Sequence, residues 1–209
     1  MSKKILRSSA AALLDTLSTF GVERVFANAG TDFAPVIEAL SAFGKIDRPA
    51  PEFVAVPHET VAVAMGHGQY AASGKTPVVM VHTTVGTSNA AMGVINAARD
   101  HIPLVLLAGR TPLTDKGNEA SRSGHIHWGQ EAFDQAGMLR EYLKWDYELR
   151  SGQSIENVLA RAFQIANTHP KGPVYVTLPR EVLATDAVAG LVSAVYAKYN
   201  LTTRRVMVG

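Results

Sequence analysis

The stretch Pro77–Val78–Val79–Met80–Val81–His82–Thr83–Thr84–Val85–Gly86–Thr87–Ser88–Asn89 decides the fold class. Val78 to Val81 is an unbroken apolar run. Such a run suits a strand covered on both faces, because a strand with one wet face alternates apolar with polar residues. Gly86 then opens a small-residue helix to Ala98, and Pro103 to Ala108 is a second strand of the same buried kind. Two buried strands joined through a helix are the parallel crossover unit.

The alternation continues upstream. Ser9 to Phe20 carries Leu13, Leu14, Leu17 and Phe20 on one helical stripe, and Gly21 stands where that helix stops. Val22 to Phe26 reads as a strand. Asp32 is read as the N-cap of a helix through Phe43, with Pro35 in its first turn. Lys45 to Pro51 is a connection, Glu52 to Val56 a strand, and a helix runs from Glu59 to Ala72, ending at Ser73–Gly74.

Downstream, Arg110 to Gly129 shows no period, and an aperiodic stretch of that length is expected to be functional or mobile. A short helix is expected over Gln130 to Ala136 and a strand over Leu143 to Leu149. A helix capped by Ser154 follows, then a last strand over Pro173 to Leu178. The expected fold is α/β, a six-stranded parallel sheet with helices on both faces and right-handed crossovers. One domain covers residues 1–186. Residues 187–209 leave the alternation and are expected to form a tail, although Ala187 to Tyr199 could extend as a helix.

Composition narrows the function. Of 209 residues, 47% are hydrophobic and 18% charged, enough apolar material for a sizeable core. Twenty Lys+Arg against eighteen Asp+Glu give +2, so bulk charge points to neither nucleic acid nor an acidic membrane. The absence of cysteine excludes disulfides, thiolate metal sites and cysteine catalysis, and suits a cytoplasmic location. The longest apolar runs, such as Leu104 to Ala108, are far too short to span a bilayer.

Several familiar motifs fail on inspection. His58–Glu59 lacks the second zinc-protease histidine, because that position is Ala62. Gly74–Lys75–Thr76 lacks the first phosphate-loop glycine, which would fall at Gln69. Gly66 and Gly68 lack a third dinucleotide-loop glycine, which would fall at Ala71. His125 and His127 have no nearby carboxylate or third histidine at ligand spacing and read as a solvated loop pair.

Three segments together are specific: Gly21 to Gly30, His58–Glu59–Thr60 with its helix to Gly74–Lys75, and His82 to Asn89 followed by Asn96–Ala97 and Ile102–Pro103–Leu104. They resemble the N-terminal pyrimidine-binding domain of thiamine-diphosphate-dependent enzymes of the acetolactate synthase, pyruvate oxidase and benzoylformate decarboxylase group. Gln130 to Gln135 and Lys171 to Pro179 agree with it, so the resemblance covers about residues 5–184. Ala29–Gly30 stands where the family usually has Pro-Gly, and Thr83 to Gly86 replaces a Ser-Gly-Pro-Gly turn. His82 is more like the benzoylformate decarboxylase branch. No Gly-Asp-Gly diphosphate motif occurs, so the sequence reads as one domain of an enzyme, a separate subunit or a truncated product.

The resemblance implies roles. Glu59 would share a proton with N1′ of the cofactor pyrimidine, a task suited to a carboxyl in a dry site. Gly30, Gly86 and Asn89 would line the pyrimidine pocket, and Val85 would give the ring apolar contact. Thr31 and His82 would face the substrate, with His82 transferring protons. The implied cofactor is thiamine diphosphate shared with a partner domain, with Mg²⁺ expected only on that diphosphate-binding domain. The implied reaction is decarboxylation of a 2-oxo acid, with or without carboligation, in a homo- or hetero-oligomer. The alternative is a non-catalytic assembly or regulatory domain of the same fold.

Overall fold

Gly21 and Gly74 show how the sequence sets element ends. Both lie at positive φ, 72° and 69°, where a residue without a Cβ ends a helix at little cost. A computed structural model describes residues 5–152 and 155–187. Its elements are α1 (Ser9–Thr19), β1 (Arg24–Asn28), α2 (Ala34–Gly44), β2 (Glu52–Ala55), α3 (Glu59–Ser73), β3 (Val78–Val81) and α4 (Thr83–Arg99). There follow β4 (Val105–Arg110), α5 (Ile126–Gly129), β5 (Trp145–Glu148), α6 (Ile155–Asn167), β6 (Val174–Pro179) and α7 (Arg180–Ala184).

Six strands form one sheet in the order β2-β1-β3-β4-β6-β5, and every pairing is parallel. The expected α/β class and strand count are therefore observed. Side chains alternate across the sheet, so each strand feeds two cores. Val25, Ala27, Val78, Met80, Val105, Leu107, Val174 and Val176 pack with α1, α2, α6 and α7. Phe26, Val79, Val81, Leu104, Leu106 and Tyr175 pack with α3 and α4 on the other face. Strands β3 and β6 are buried at every position; β3 is an unbroken apolar run and β6 is polar only at Thr177.

Several sequence expectations need correction. The first strand runs from Arg24 to Asn28, two residues later than expected. Helix α4 begins at Thr83, not Gly86, so Gly86 lies inside its first turn. Asp32 does not cap α2; it sits in a 3-10 turn over Thr31–Phe33, and the cap position is Phe33, with no side-chain bond. Gln130 to Ala136 is not a helix; one turn of helix precedes it as α5, and a 3-10 turn follows at Ala136–Met138. The expected Ser154 cap and nearly all of the 187–209 tail lie outside the described residues. No helix among the described residues is long and apolar enough to cross a membrane.

Candidate functional site

Open parallel sheets bind ligands beyond the carboxyl ends of their strands, at the point where neighbouring connections diverge. Here β1 lies between β2 and β3, so that point lies between β1 and β3. Gly30 follows β1, Glu59 follows β2, and His82 directly follows β3. The topology thus brings three residues far apart in sequence to one rim.

Glu59 opens α3, with His58 as its N-cap accepting from Thr60 N at 3.2 Å. A carboxylate suits this helix end, where backbone N–H groups carry partial positive charge. Its residue exposure is only 6%, and a buried carboxylate needs polar partners. Asn89 supplies one, its Nδ2 donating to Glu59 Oε2 at 3.0 Å. Thr60 Oγ1 donates to the Asn89 carbonyl at 2.6 Å, which ties α3 to α4. The other oxygen, Oε1, faces Gly86, where an added Cβ would stand 3.3 Å away. Val85 neighbours Gly86 and is 55% exposed.

His82 occupies the N-cap position of α4. Its ring lies across Gly30 so closely that a Cβ there would come within 2.1 Å of Nδ1. Nδ1 meets Asp32 Oδ1 at 2.5 Å, and Nε2 meets Gln130 Nε2 at 3.0 Å. The hydrogen bond to Asp32 raises the imidazole above its ordinary pKa of 6.5, against the opposing effect of burial; the charges of Asp32 and Glu59 add to the rise. Thr31 is exposed in the turn beside Gly30, and no hydrogen bond joins it to His82.

Asp32 and Gln130 are the residues that sequence reading missed. Asp32 is 2% exposed, too buried for an ordinary cap, but that burial has no sequence signature. Gln130 is 48 residues from His82 and is brought over by the loop that follows β4. That loop is strapped down, not loose. Arg122 donates to the Pro112 carbonyl at 2.7 Å and pairs with Glu131. Arg180 donates to the carbonyls of Ala120 and Ser121, and Glu181 accepts from Thr114. His127 is buried, accepting from Ser123 N at 3.1 Å, so the expected solvated histidine pair does not exist. Burial lowers its pKa, helped by the charges of Arg180, Arg122 and His82. No group of three potential metal ligands converges among the described residues.

The model of the thiamine pyrophosphate enzyme N-terminal TPP-binding domain matches residues 7–138. The chain belongs to this family. Thiamine pyrophosphate, or thiamine diphosphate, is accordingly the cofactor of this domain's family. The large subunit of acetolactate synthase isozyme 3 from Escherichia coli is 34% identical over 84% of the chain and 28% of its own length. Benzoylformate decarboxylase from Pseudomonas aeruginosa is 29% identical over 86% of the chain and 31% of its own length. The chain thus spans less than a third of these relatives. Among solved structures, a thiamin diphosphate-dependent enzyme from Mycobacterium smegmatis superposes with a TM-score of 0.72 at 24% identity, covering 87% of the chain and 32% of that protein. A 4-hydroxybenzoylformate decarboxylase from Rhodococcus jostii gives 0.70 at 21%, covering 97% and 33%. These two show the fold of the TPP-binding domain.

The residues at the rim fit the cofactor's pyrimidine. Glu59 offers one carboxylate oxygen without a side-chain partner, and Gly86 leaves the space beside it unfilled by any Cβ. A flat ring that hydrogen-bonds through a ring nitrogen needs that combination of a polar edge and a bare backbone face.

Proposed function

We propose that this chain is the cofactor-activating domain of a thiamine-diphosphate-dependent 2-oxo acid decarboxylase or acetolactate synthase-like carboligase. The carrying observation is Glu59: a carboxylate buried at the rim, held through Oε2 by Asn89, with Oε1 beside the bare face of Gly86. When bound, thiamine diphosphate would supply a thiazolium carbon acid and an electron sink for the bonding pair that a 2-oxo acid leaves behind as carbon dioxide departs. Glu59 shares a proton with the pyrimidine N1′, and its burial keeps that exchange from running to water instead. Gly30, Gly86, Val85 and Asn89 line the pyrimidine side. Thr31 and His82 face the substrate, and His82 holds or releases a proton there.

The diphosphate and Mg²⁺ belong on a second domain or subunit, in a homo- or hetero-oligomer. The chain's coverage of less than a third of its relatives supports this reading. A cytoplasmic setting completes it, supported by the lack of cysteine. The experiment is hydrogen–deuterium exchange at the cofactor C2 in an assembly that supplies a diphosphate-binding domain. Glu59→Gln keeps the size and the hydrogen bonds but removes the acid–base function. Exchange should slow by about 10²–10⁴-fold, the usual general acid–base contribution. Unchanged exchange would favour the non-catalytic assembly domain instead.

A further inference from the structure

Both ring nitrogens of His82 are occupied, and the identity of each partner restricts where the proton sits. Asp32, as a carboxylate, can only accept, so Nδ1 donates to it. The Gln130 Nε2 group can only donate, so Nε2 of the imidazole accepts from it. The neutral ring that satisfies both carries its proton on Nδ1. The opposite tautomer would set a lone pair against the carboxylate and an N–H against an N–H.

The buried end of Asp32 is equally constrained. Oδ2 has no hydrogen-bond partner and lies so close to Gly109, the penultimate residue of β4, that a Cβ there would come within 1.2 Å. The carboxylate is thus wedged between the β4 backbone and the imidazole. Gln130 Oε1 is also buried without a partner. Turning that amide over would direct Oε1 at Nε2, where it could accept from a protonated ring. Neutral and cationic imidazole then differ by one amide rotation, with every other heavy atom in place.

We propose that Asp32 is the positioning residue of His82: it fixes the imidazole proton on Nδ1, leaves Nε2 as the exchanging nitrogen, and with Gln130 forms a cradle that accepts the ring in both protonation states. Its use in turnover rests on the reading of His82 as a substrate-facing group; the dyad itself does not. The titratable groups around the ring are Asp32 from the turn after β1, Glu59 from α3 and His127 from α5. The two carboxylates favour the cation and the second histidine opposes it.

The test is imidazole nitrogen NMR on the 209-residue chain, without cofactor. In the wild type, neutral His82 is expected as the Nδ1–H tautomer. In Asp32→Asn, a near-isosteric change, its midpoint is expected to fall, with the Nε2–H tautomer appearing. An unchanged midpoint in that variant would overturn the proposal. So would an Nε2–H tautomer in the wild type, a reading that holds even if Asp32→Asn fails to fold. Neither measurement involves C2 exchange, so the dyad and the Glu59 assignment fail separately.

Discussion

Asn89 Nδ2 lies 3.0 Å from Glu59 Oε2, so the second turn of α4 holds the carboxylate that opens α3. Asn89 therefore contacts the proposed acid–base group directly, in addition to its proposed place beside the pyrimidine. Asn89→Ala should leave Glu59 in place but less fixed. C2 exchange in the reconstituted assembly should then slow, by less than the roughly 10²–10⁴-fold expected for Glu59→Gln. Exchange in Asn89→Ala as slow as in Glu59→Gln would instead assign Asn89 a share in the proton chemistry itself.

Partly buried His82 and buried His127 give opposite slopes of stability against pH. The folded chain raises the pKa of His82, so its contribution is complete below the ordinary 6.5 and is lost as pH rises through the folded value. It lowers that of His127, so the latter's contribution is complete above 6.5 and is lost as pH falls through the folded value. Thermal melts should show His82→Gln flattening the decline above 6.5, and His127→Gln flattening the decline below it. Identical pH profiles in all three proteins would contradict both assignments.

Gly30 has φ −141°, an extended conformation open to any residue, so its smallness serves space and not backbone. Gly30→Ala should displace the His82 ring and cost about 1–3 kcal/mol, the usual penalty for overpacking. Denaturant unfolding measures the cost. Gly30→Ala made together with His82→Ala should cost less than the sum of the single changes, because the ring that clashes is gone. Strict additivity would mean that the clash is relieved elsewhere.

The loop after β4 depends on Arg180, which donates to two of its carbonyls. Arg180→Ala should speed limited proteolysis between Thr114 and Gly124 while leaving the sheet intact by circular dichroism. A cleavage rate unchanged from the wild type would show that the Arg122 and Glu181 contacts suffice.

Val85 and Met92 are exposed on α4, and Ile126, Trp128 and Phe133 are exposed beyond β4. Apolar surface of this extent favours association. Sedimentation at micromolar concentration should show self-association, weakened by Met92→Lys. A monomer across the whole range would remove this support for an oligomer.

The sheet was legible because its central strands announce themselves. Val78–Val81 is apolar without a break, Val174–Leu178 is interrupted only by Thr177, and Gly21 and Gly74 mark helix ends. The start of α4 was not, because Thr83 to Val85 carry no helix signal stronger than that of Gly86, and Thr83 begins the helix at φ 46°. Glu59, Gly86 and Asn89 could be named together through a family resemblance, and the fold brings them together. Asp32 was misread because a short acid ahead of an apolar helix has the local signature of a cap, whereas its partner is 50 residues away. His127 was misread for the converse reason: without a carboxylate or third histidine at ligand spacing it read as solvated, whereas Arg180, which holds the loop inward, comes from a distant position.

The close approaches of Gly30 to His82 and of Gly109 to Asp32 also restrict the order in which this sequence can change over generations. While the imidazole and the carboxylate remain, any side chain at position 30 or 109 meets an atom already in place. A lineage that first exchanges His82 for a smaller residue opens position 30, and one that first exchanges Asp32 opens position 109. The reverse order passes through a damaged ancestor. Descendants with a side chain at either glycine position should therefore have altered the matching partner first, and reconstructed ancestors can be searched for that sequence of events.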